Sequence, residues 1–175
     1  MVLCMEILIF SDSHGNASRM RKVIAEHPNA KHILFCGDGL KDIASLEAEF
    51  PKRIFLSVKG NCDGWFSTLE EPDERVFPLG GLRFLMTHGH TYGVKGSYGV
   101  AAAQAAKLEA DILLFGHTHI PFDGYLAVGD QRIHMFNPGS IGARDGDASY
   151  GVLTIQENGY LFSHGYFKDR KGKLT

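Results

Sequence analysis

The sequence is poor in cysteine, and it has no hydrophobic run of membrane-spanning length. Its three cysteines, Cys4, Cys36 and Cys62, form no closely spaced pair, which argues against a disulfide framework or a thiolate zinc knuckle. The apolar stretch at residues 1–10 lacks a basic start, so it predicts a strand and not a signal peptide. We therefore expect a cytoplasmic protein in a reducing compartment with no membrane partner.

An excess of charge of one sign is also missing. The net charge is −2 with histidine neutral, and the basic residues are scattered along the chain. Binding to a nucleic-acid duplex is therefore disfavoured, because it needs a continuous basic surface. Hydrophobic residues make up 44% and charged residues 22%, which is ordinary for a folded globular protein. We expect residues 1–175 to form a single domain without internal repeats.

The first two thirds of the chain alternate strand and helix patterns. Helices are predicted from Ala17 to before Pro28, from Leu40 to Pro51, and from about Ser97, as N-cap, to Ala110. Five strand-length apolar runs precede, separate or follow these helices. The runs show no clear alternation of polar and apolar residues, as expected for strands that are covered on both faces. These runs are residues 6–10, 32–36, 53–58, 83–87 and 111–115.

After Pro121 the pattern changes to two β-hairpins. Residues 124–128 and 132–137 flank one turn, and residues 150–155 and 160–165 flank the other. We expect these hairpins to form a β-meander in an antiparallel sheet. The element order predicts an α/β fold in which two sheets pack together with helices outside.

Each of the five apolar runs is followed directly by polar residues of the types that can bind metals. In an open α/β sheet the carboxyl ends of strands meet along one edge, so we expect these side chains to converge. A divalent cation would supply their counter-charge, and so many donors suit two ions roughly 3.5–4 Å apart with a shared carboxylate. Carboxylate, amide and imidazole donors suit Mn²⁺, Fe²⁺, Co²⁺ or Zn²⁺. The residues are Asp12 and His14, Asp38, Asn61 and Asp63, His88 and His90, and His117 and His119.

Each motif alone also has a structural explanation. The Asp-Ser-His segment is typical of a turn with a helix cap, Gly-Asp of a turn, and Gly-Asn-Cys-Asp of a hairpin or Asx turn. The Gly-His-Thr-His segment is the strongest single metal signal, although two histidines can also fall together by chance. The recurrence of polar residues after all five runs favours the metal site.

The ordered motifs resemble those of the calcineurin-like metallophosphoesterase superfamily. Within it they are most similar to the small prokaryotic phosphodiesterases, whose fold is similar to that of the retromer subunit. The resemblance implies a four-layer αββα sandwich of two mixed β-sheets flanked by helices. The motifs are SDSHGN (11–16), FCGD (35–38), VKGNCD (58–63), THGHTYG (87–93), FGHTH (115–119) and NPGS (137–140).

The resemblance also implies a set of metal ligands and a reaction. A metal-bridging hydroxide would attack a phosphate diester of a small organic or nucleotide-type substrate. Mn²⁺ is favoured as the metal, with Zn²⁺, Fe²⁺, Co²⁺ or Ni²⁺ as alternatives, and homo-oligomers are common in the family. A phosphomonoesterase of the same fold and a catalytically silent protein-binding scaffold are the alternative functions. The first ion would bind Asp12, His14, Asp38 and His119, and the second would bind Asp38, Asn61, His88 and His117.

Cys62 departs from the wider superfamily, which usually has a histidine there that assists the leaving group. We expect Cys62 to be a small packed side chain and Asp63 to support the ligands. Without the usual acid, the enzyme is predicted to favour aryl diesters, whose leaving groups are stable anions. His90 is a candidate proton donor, and a structural role for it is an equal alternative.

Several further residues near the motifs are given roles by their position. Asn16 is expected to cap the first helix. Residues 137–140 are expected to form a turn that supports the site. Tyr92 and Arg144 either line the substrate entrance or pack on the surface. Trp65 is expected to anchor in the core or at the surface, with a lid or stacking platform as the alternative. Four other histidines are expected to be structural: His27, His32, His134 and His164.

Overall fold

The structure is a computed structural model that describes residues 4–64, 71–143 and 148–167. Trp65, Arg144 and the end of the chain after residue 167 lie outside the described residues. The strands are β1 (Met5–Phe10), β2 (His32–Phe35), β3 (Ile54–Ser57), β4 (Glu74–Leu79), β5 (Leu82–Thr87), β6 (Ile112–Leu114), β7 (Phe122–Val128), β8 (Gln131–Asn137), β9 (Ala148–Gln156) and β10 (Gly159–Phe167). The helices are α1 (Ala17–Glu26), α2 (Leu40–Glu49), a short 3-10 helix (His90–Tyr92) and α3 (Gly99–Lys107).

The strands form two mixed sheets of five strands each. The first has the order β10-β9-β1-β2-β3, in which β1, β2 and β3 are parallel and β9 and β10 are antiparallel. The second has the order β4-β5-β6-β8-β7, with β5, β6 and β8 parallel and the two outer strands antiparallel. The predicted pair of mixed sheets is confirmed.

The central strands of each sheet separate two apolar clusters. In β1, Ile7 and Ile9 point between the sheets, while Leu8 and Phe10 pack against α1 and α2. The small alanine-rich face of α3 covers the outer side of the second sheet. The four layers are therefore α1 with α2, the two sheets, and α3. Burial on both faces explains why the strand sequences are continuously apolar.

The prediction of a β-meander was wrong. The hairpin of β7 and β8 joins the second sheet, whereas the hairpin of β9 and β10 joins the first, with β9 paired to β1. A hairpin signal is local, while the sheet edge that a hairpin joins is decided by burial against distant strands.

Strand β4 was not predicted. It pairs antiparallel with β5 around Gly80 and Gly81, which both have positive φ. Pro78 within the run weakens the strand pattern, because proline cannot donate to a sheet ladder. The Gly-Gly pair between two apolar runs was the local signal for this hairpin.

Two helix ends follow the proline signals, and two predicted caps differ. Helices α1 and α2 end before Pro28 and Pro51 as predicted. Helix α3 begins at Gly99, and the hydroxyl of Ser97 only accepts the Gly99 N–H at 3.2 Å. Asn16 occupies the N-cap position of α1 without a capping hydrogen bond, because its side-chain oxygen accepts from the Ser18 hydroxyl. Among the described helices, none is long and apolar enough to cross a membrane.

Candidate metal centre

The predicted ligands come together where the rims of the two sheets meet. The loops after β1, β2 and β3 come from the first sheet, and those after β5 and β6 come from the second. Backbone hydrogen bonds join neighbouring loops within each sheet. The Asp12 N–H donates to Gly37 O at 2.9 Å, and the Gly116 N–H donates to His88 O at 3.1 Å. The His117 N–H, after β6 of the second sheet, donates to Oδ2 of Asp12, after β1 of the first, at 3.1 Å. The rim is therefore shared by two sheets and is not the edge of a single open sheet.

The first group of donors lies around Asp12. Its Oδ1 is 3.1 Å from Nε2 of His119 and 3.8 Å from Nε2 of His14. The two Nε2 atoms are 3.3 Å apart. The Oδ1 atom is buried and makes no hydrogen bond within the described part of the chain. Three ligand atoms thus converge on one point, and one of them is a buried anionic oxygen in need of a partner.

The second group lies around His88, whose side chain is fully buried. Its Nε2 is 3.1 Å from Oδ1 of Asn61, 3.4 Å from Oδ2 of Asp38 and 3.9 Å from Oδ1 of Asp12. Its Nδ1 lies 2.7 Å from the carbonyl of Cys36, an acceptor that leaves Nε2 free to bind a metal. Asp12 contributes to both groups, whereas the resemblance implied Asp38 as the bridge.

His117 is the remaining predicted ligand. Its ring lies edge-on to that of His88, with 5.0 Å between the centroids. Its backbone N–H donates to Oδ2 of Asp12 at 3.1 Å, so one residue of the first group positions the loop that carries His117. All seven predicted donors therefore face the same rim.

The ligand loops have an unusual backbone. Six non-glycine residues in the described ranges have positive φ, and only Glu109 among them is not a predicted ligand. Left-handed backbone conformations are unfavourable for residues that have a Cβ, and where they occur they cluster at functional sites. The other five are Asp12, His14, Asp38, His117 and His119.

Asp63 holds the loop that carries Asp38. Its Oδ2 accepts the N–H groups of Asp38 at 2.9 Å and Gly60 at 2.8 Å. Its Oδ1 accepts those of Gly39 at 2.7 Å and Leu40 at 2.8 Å, which lie at the start of α2. The predicted supporting role of Asp63 is thus exerted through the backbone.

Two further residues support the site, and the sequence did not single out their contacts. Asp42 accepts the Ser13 hydroxyl at 2.6 Å and the Gly15 N–H at 2.9 Å, which fixes the loop on both sides of His14. Asn137, in the NPGS segment, donates to Gly116 O and to the Thr118 hydroxyl, both at 3.0 Å. An acidic residue in a first helical turn usually complements the helix dipole, so the sequence carried no specific signal for Asp42.

The pKa values of Asp38 and His117 favour metal-binding forms. Burial by itself raises the pKa of Asp38, but hydrogen bonding and attraction from His88 outweigh it and hold this pKa well below its usual range. Burial and the proximity of His88 and Lys95 lower the pKa of His117 to about 4. An ionised carboxylate and a neutral imidazole are the forms that bind divalent cations. The residues therefore fit such an ion.

The pKa values of His119 and His88 shift the other way. Asp12 raises the pKa of His119. Burial by itself lowers the pKa of His88, but Asp38 and Asp12 together outweigh it and raise this pKa. These two imidazoles must therefore lose a proton when a metal binds.

Of the other candidate residues, Cys62 contradicts its prediction. It is exposed at the mouth of the site and is not a packed side chain. Its own N–H donates to Asp38 Oδ1 at 2.7 Å, which fixes its backbone at the rim of the site. His90 lies beside the site, with ring centroids 5.4 Å from His88 and 6.1 Å from His117. The Tyr92 hydroxyl donates to Glu74 and so ties the 3-10 helix to β4.

The four histidines that were expected to be structural lie away from these groups. His27 contacts Glu6 with 2.7 Å between Nδ1 and Oε1. His134 contacts Asp123 and Tyr160, and His164 donates to the Asn137 carbonyl. His32 is on β2, where its Nδ1 is buried.

Comparison with known proteins agrees with the fold and the motifs. The profile of the Calcineurin-like phosphoesterase superfamily domain matches residues 5–158. The probable metallophosphoesterase YsnB of Bacillus subtilis is 33% identical over 160 residues, which cover 88% of this chain and 86% of YsnB. Phosphodiesterase YfcE of Escherichia coli K12 is 29% identical over 174 aligned residues, which cover 85% of this chain and 87% of YfcE. The solved structure of vacuolar protein sorting 29 from Cryptosporidium parvum has a TM-score of 0.68 at 17% identity, over 95% of this chain and 99% of that one.

The class of the protein follows from these findings. Its two mixed sheets with helices outside are the metallophosphoesterase fold, and its rim carries groups of carboxylates and histidines that can hold a metal ion. The chain belongs to the calcineurin-like phosphoesterase superfamily, since the profile spans most of its length.

Proposed function

We propose that the protein is a phosphodiesterase that depends on two divalent cations. The observation that carries the proposal is the buried Oδ1 of Asp12, which has no hydrogen-bond partner among the described residues and lies in both groups of donors. A buried anionic oxygen is costly unless a cation or a donor meets it. Because Oδ1 of Asp12 belongs to both donor groups, the two groups together could bind a pair of neighbouring ions.

The chain's residues would divide between the two ions as the motifs imply. Mn²⁺ is the favoured metal, because oxygen and imidazole donors without thiolate suit it. When bound, the ions neutralise charge on the phosphoryl oxygens and lower the pKa of water. By the motifs, Asp12, His14, Asp38 and His119 would hold the first ion, and Asp38, Asn61, His88 and His117 the second. The geometry supports Asp12 as a second shared carboxylate, because its Oδ1 also lies 3.9 Å from Nε2 of His88.

Specificity would come from the groups around the ions. A cavity of about 410 Å³ adjoins the site and is lined by residues that include Gly15, Lys41, Cys62 and Gly64. This space accommodates one arm of a small organic or nucleotide-type diester. His90 would donate a proton to the leaving oxygen, and aryl esters would need this proton least.

The proton donor is tested by His90→Ala. Hydrolysis of an unactivated alkyl diester should fall at least tenfold, while that of an aryl diester should change less than threefold. Equal loss on both substrates, or none on either, would remove His90 as the acid. The ring would then serve to pack the 3-10 helix against the site.

The function itself is tested by metal analysis with assays on matched aryl esters. Metal-free protein should regain hydrolysis of bis(p-nitrophenyl) phosphate when Mn²⁺ is added, at a higher kcat/KM than for p-nitrophenyl phosphate. A faster monoester reaction would favour the phosphomonoesterase. Neither bound metal nor turnover would favour a protein-binding scaffold, the alternative to which the fold similarity to vacuolar protein sorting 29 lends weight.

A cytoplasmic location is part of the proposal. The three described cysteines are free thiols, which supports a reducing compartment. Homo-oligomerisation remains an expectation from the family, and sedimentation of the metal-loaded protein would test it.

A further inference from the structure

Cys62 takes part in a third group of potential ligands. One donor atom each from His14, Asp38 and Cys62 lies within 4.8 Å of the other two. The histidine and the cysteine are exposed, while Asp38 is buried below them. This group therefore opens toward solvent, whereas Asp12, Asp38 and His88 form a fully buried one.

The position of the thiol is fixed by its surroundings. The Cys62 N–H donates to Oδ1 of Asp38 at 2.7 Å, and the Asn61 amide lies 3.2 Å from Sγ. Asp63 holds the Gly60 N–H of the same loop at 2.8 Å. The backbone at Cys62 is thus fixed beside the Asp38 carboxylate, and its sulfur lies within 4.8 Å of a carboxylate oxygen.

We propose that His14, Asp38 and Cys62 form a separate binding site for a thiophilic divalent cation such as Zn²⁺ or Cd²⁺. Thiolate with imidazole and carboxylate suits these softer ions, whereas Mn²⁺ prefers oxygen and imidazole donors. Binding would release the thiol proton to solvent and form a sulfur–metal bond. The site is distinct because it recruits Cys62, which none of the two-ion ligand sets contains.

Occupation of this site would have a functional consequence that rests on the proposed phosphodiesterase. It uses His14 and Asp38, which are also ligands in the proposed two-ion arrangement. It also places a cation in the cavity that His14, Asp38 and Cys62 line together. Zn²⁺ or Cd²⁺ in excess would therefore inhibit the Mn²⁺-loaded protein through Cys62.

The site is tested by titrating the full metal-free chain with Cd²⁺ while recording the ultraviolet absorption of the thiolate–cadmium bond. The wild type should show a band that saturates at one thiolate per chain. Cys62→Ser should lose at least 80% of the band, and Cys4→Ser, which alters the other exposed cysteine, should retain it. His14→Ala should weaken Cd²⁺ binding at the thiolate at least tenfold.

Three results would overturn the site. These are an unchanged band in Cys62→Ser, bound Cd²⁺ without any thiolate band in the wild type, and failure of the wild type to bind Cd²⁺. Circular dichroism of each variant checks that the fold is retained, which is expected because Cys62 is exposed.

Inhibition is measured as the ratio of rates with Mn²⁺ alone and with Mn²⁺ plus Cd²⁺, within each variant. This ratio should be at least fivefold larger in the wild type and in Cys4→Ser than in Cys62→Ser, and equal ratios would contradict inhibition through Cys62. If neither the wild type nor any variant hydrolyses a diester, the proposed function is wrong. The thiolate–cadmium band still shows whether Cys62 binds the metal.

Discussion

Asp12 is the residue that ties the proposed metal centre to the fold. Its Oδ2 accepts the backbone N–H of His117 at 3.1 Å, and its Oδ1 is buried without a hydrogen-bond partner in the described ranges. Nε2 of His119 lies 3.1 Å from this Oδ1, and a buried carboxylate oxygen with so few donors is unfavourable, so the metal-free protein carries a local energetic cost. A cation at this oxygen would remove that cost and stabilise the folded state.

Asp12→Asn is therefore predicted to separate stability from metal binding. The metal-free variant should unfold at a temperature no lower than the wild type, because an amide in place of Oδ1 can donate to Nε2 of His119, 3.1 Å away. The rise in Tm on adding Mn²⁺ should be lost, whereas a ligand at 100 times its Kd stabilises the wild type by about 2.7 kcal/mol. Thermal unfolding with metal analysis measures both effects.

Asp130→Asn is the matched control, because Asp130 is an exposed carboxylate in the turn between β7 and β8. It should behave as the wild type in both measurements. A full Mn²⁺-induced rise in the Tm of Asp12→Asn would show that this carboxylate does not bind metal.

Asp63→Asn is predicted to weaken the hydrogen bonds that hold the loop carrying Asp38. The carboxylate accepts four backbone N–H groups, and an amide cannot accept all of them. We expect the free energy of unfolding to fall by about 1–3 kcal/mol. The affinity for Mn²⁺ should fall about 10- to 100-fold, as for other residues that orient metal ligands.

Chemical denaturation and Mn²⁺ titration provide the two readouts for Asp63→Asn. Glu157→Gln, an exposed change in the turn between β9 and β10, controls for the loss of a negative charge. Loss of stability with unchanged Mn²⁺ affinity would mean that Asp63 caps α2 without positioning Asp38.

At the scale of the elements, the site consists of loops held in conformations that their sequences do not favour. Five predicted ligands have positive φ, which costs roughly 1–2 kcal/mol per non-glycine residue. Side chains elsewhere in the chain, notably Asp42, Asp63 and Asn137, hold these loops by hydrogen bonds. The rigid strand ends and these contacts together pre-organise the ligands.

Close approach of two of these loops predicts a strong effect of Gly116→Ala. A Cβ at this position would lie 1.9 Å from Oγ of Ser11 and 2.9 Å from Oδ2 of Asp12. Asp12 must then shift, so we expect a loss of about 1–3 kcal/mol in stability and loss of bound Mn²⁺. Denaturation and metal analysis of the purified variant test this.

Gly96→Ala is the control for Gly116→Ala, since an added Cβ there meets only the Gly93 carbonyl at 3.6 Å. It should leave stability within about 0.5 kcal/mol and metal content unchanged. Normal metal content in Gly116→Ala would indicate that the loop after β6 can relax away from Asp12.

The sequence predicted those parts of the site that depend on local pattern. The apolar runs located the strands, and the polar residues after them do lie close together. They meet at a rim that two sheets share, and not at the edge of one open sheet as expected. The membership of each hairpin in a sheet was not predictable in this way, since β9 pairs with β1 across more than a hundred residues. The contacts of Asp42 and Asn137 were missed for the same reason, because both bond to residues far away along the chain.

At the scale of the whole molecule, the two sheets must keep their relative position for the shared rim to exist. Their facing sides are joined by an apolar cluster that includes Ile9, Phe84, Phe136 and Leu153. Aromatic contacts add to it, with Phe136 of β8 stacked on Phe162 of β10 at 4.3 Å between centroids. The packing of the sheets thereby fixes the distance between the two sets of ligand loops.

His134→Ala is predicted to weaken this sheet contact without removing the metal. The buried His134 on β8 contacts Asp123 at 2.6 Å and the Tyr160 hydroxyl on β10 at 3.1 Å. Its removal leaves a cavity and two polar groups without this partner, so stability should fall by about 2–4 kcal/mol. Metal stoichiometry, measured below the unfolding transition, should stay the same.

Gln131→Ala, an exposed change on the same strand, is the control for His134→Ala and should have little effect. Loss of metal from folded His134→Ala would contradict this prediction. It would show that the metal ligands depend on the contacts of His134, although His134 lies away from both donor groups.

The most direct measurement of the central claim is anomalous diffraction at the manganese edge from crystals grown with Mn²⁺. The proposal predicts two peaks roughly 3.5–4 Å apart, with Asp12 and His119 beside one and His88 and Asn61 beside the other. A single peak, or peaks away from the rim that Asp12 and His88 share, would contradict the two-ion centre.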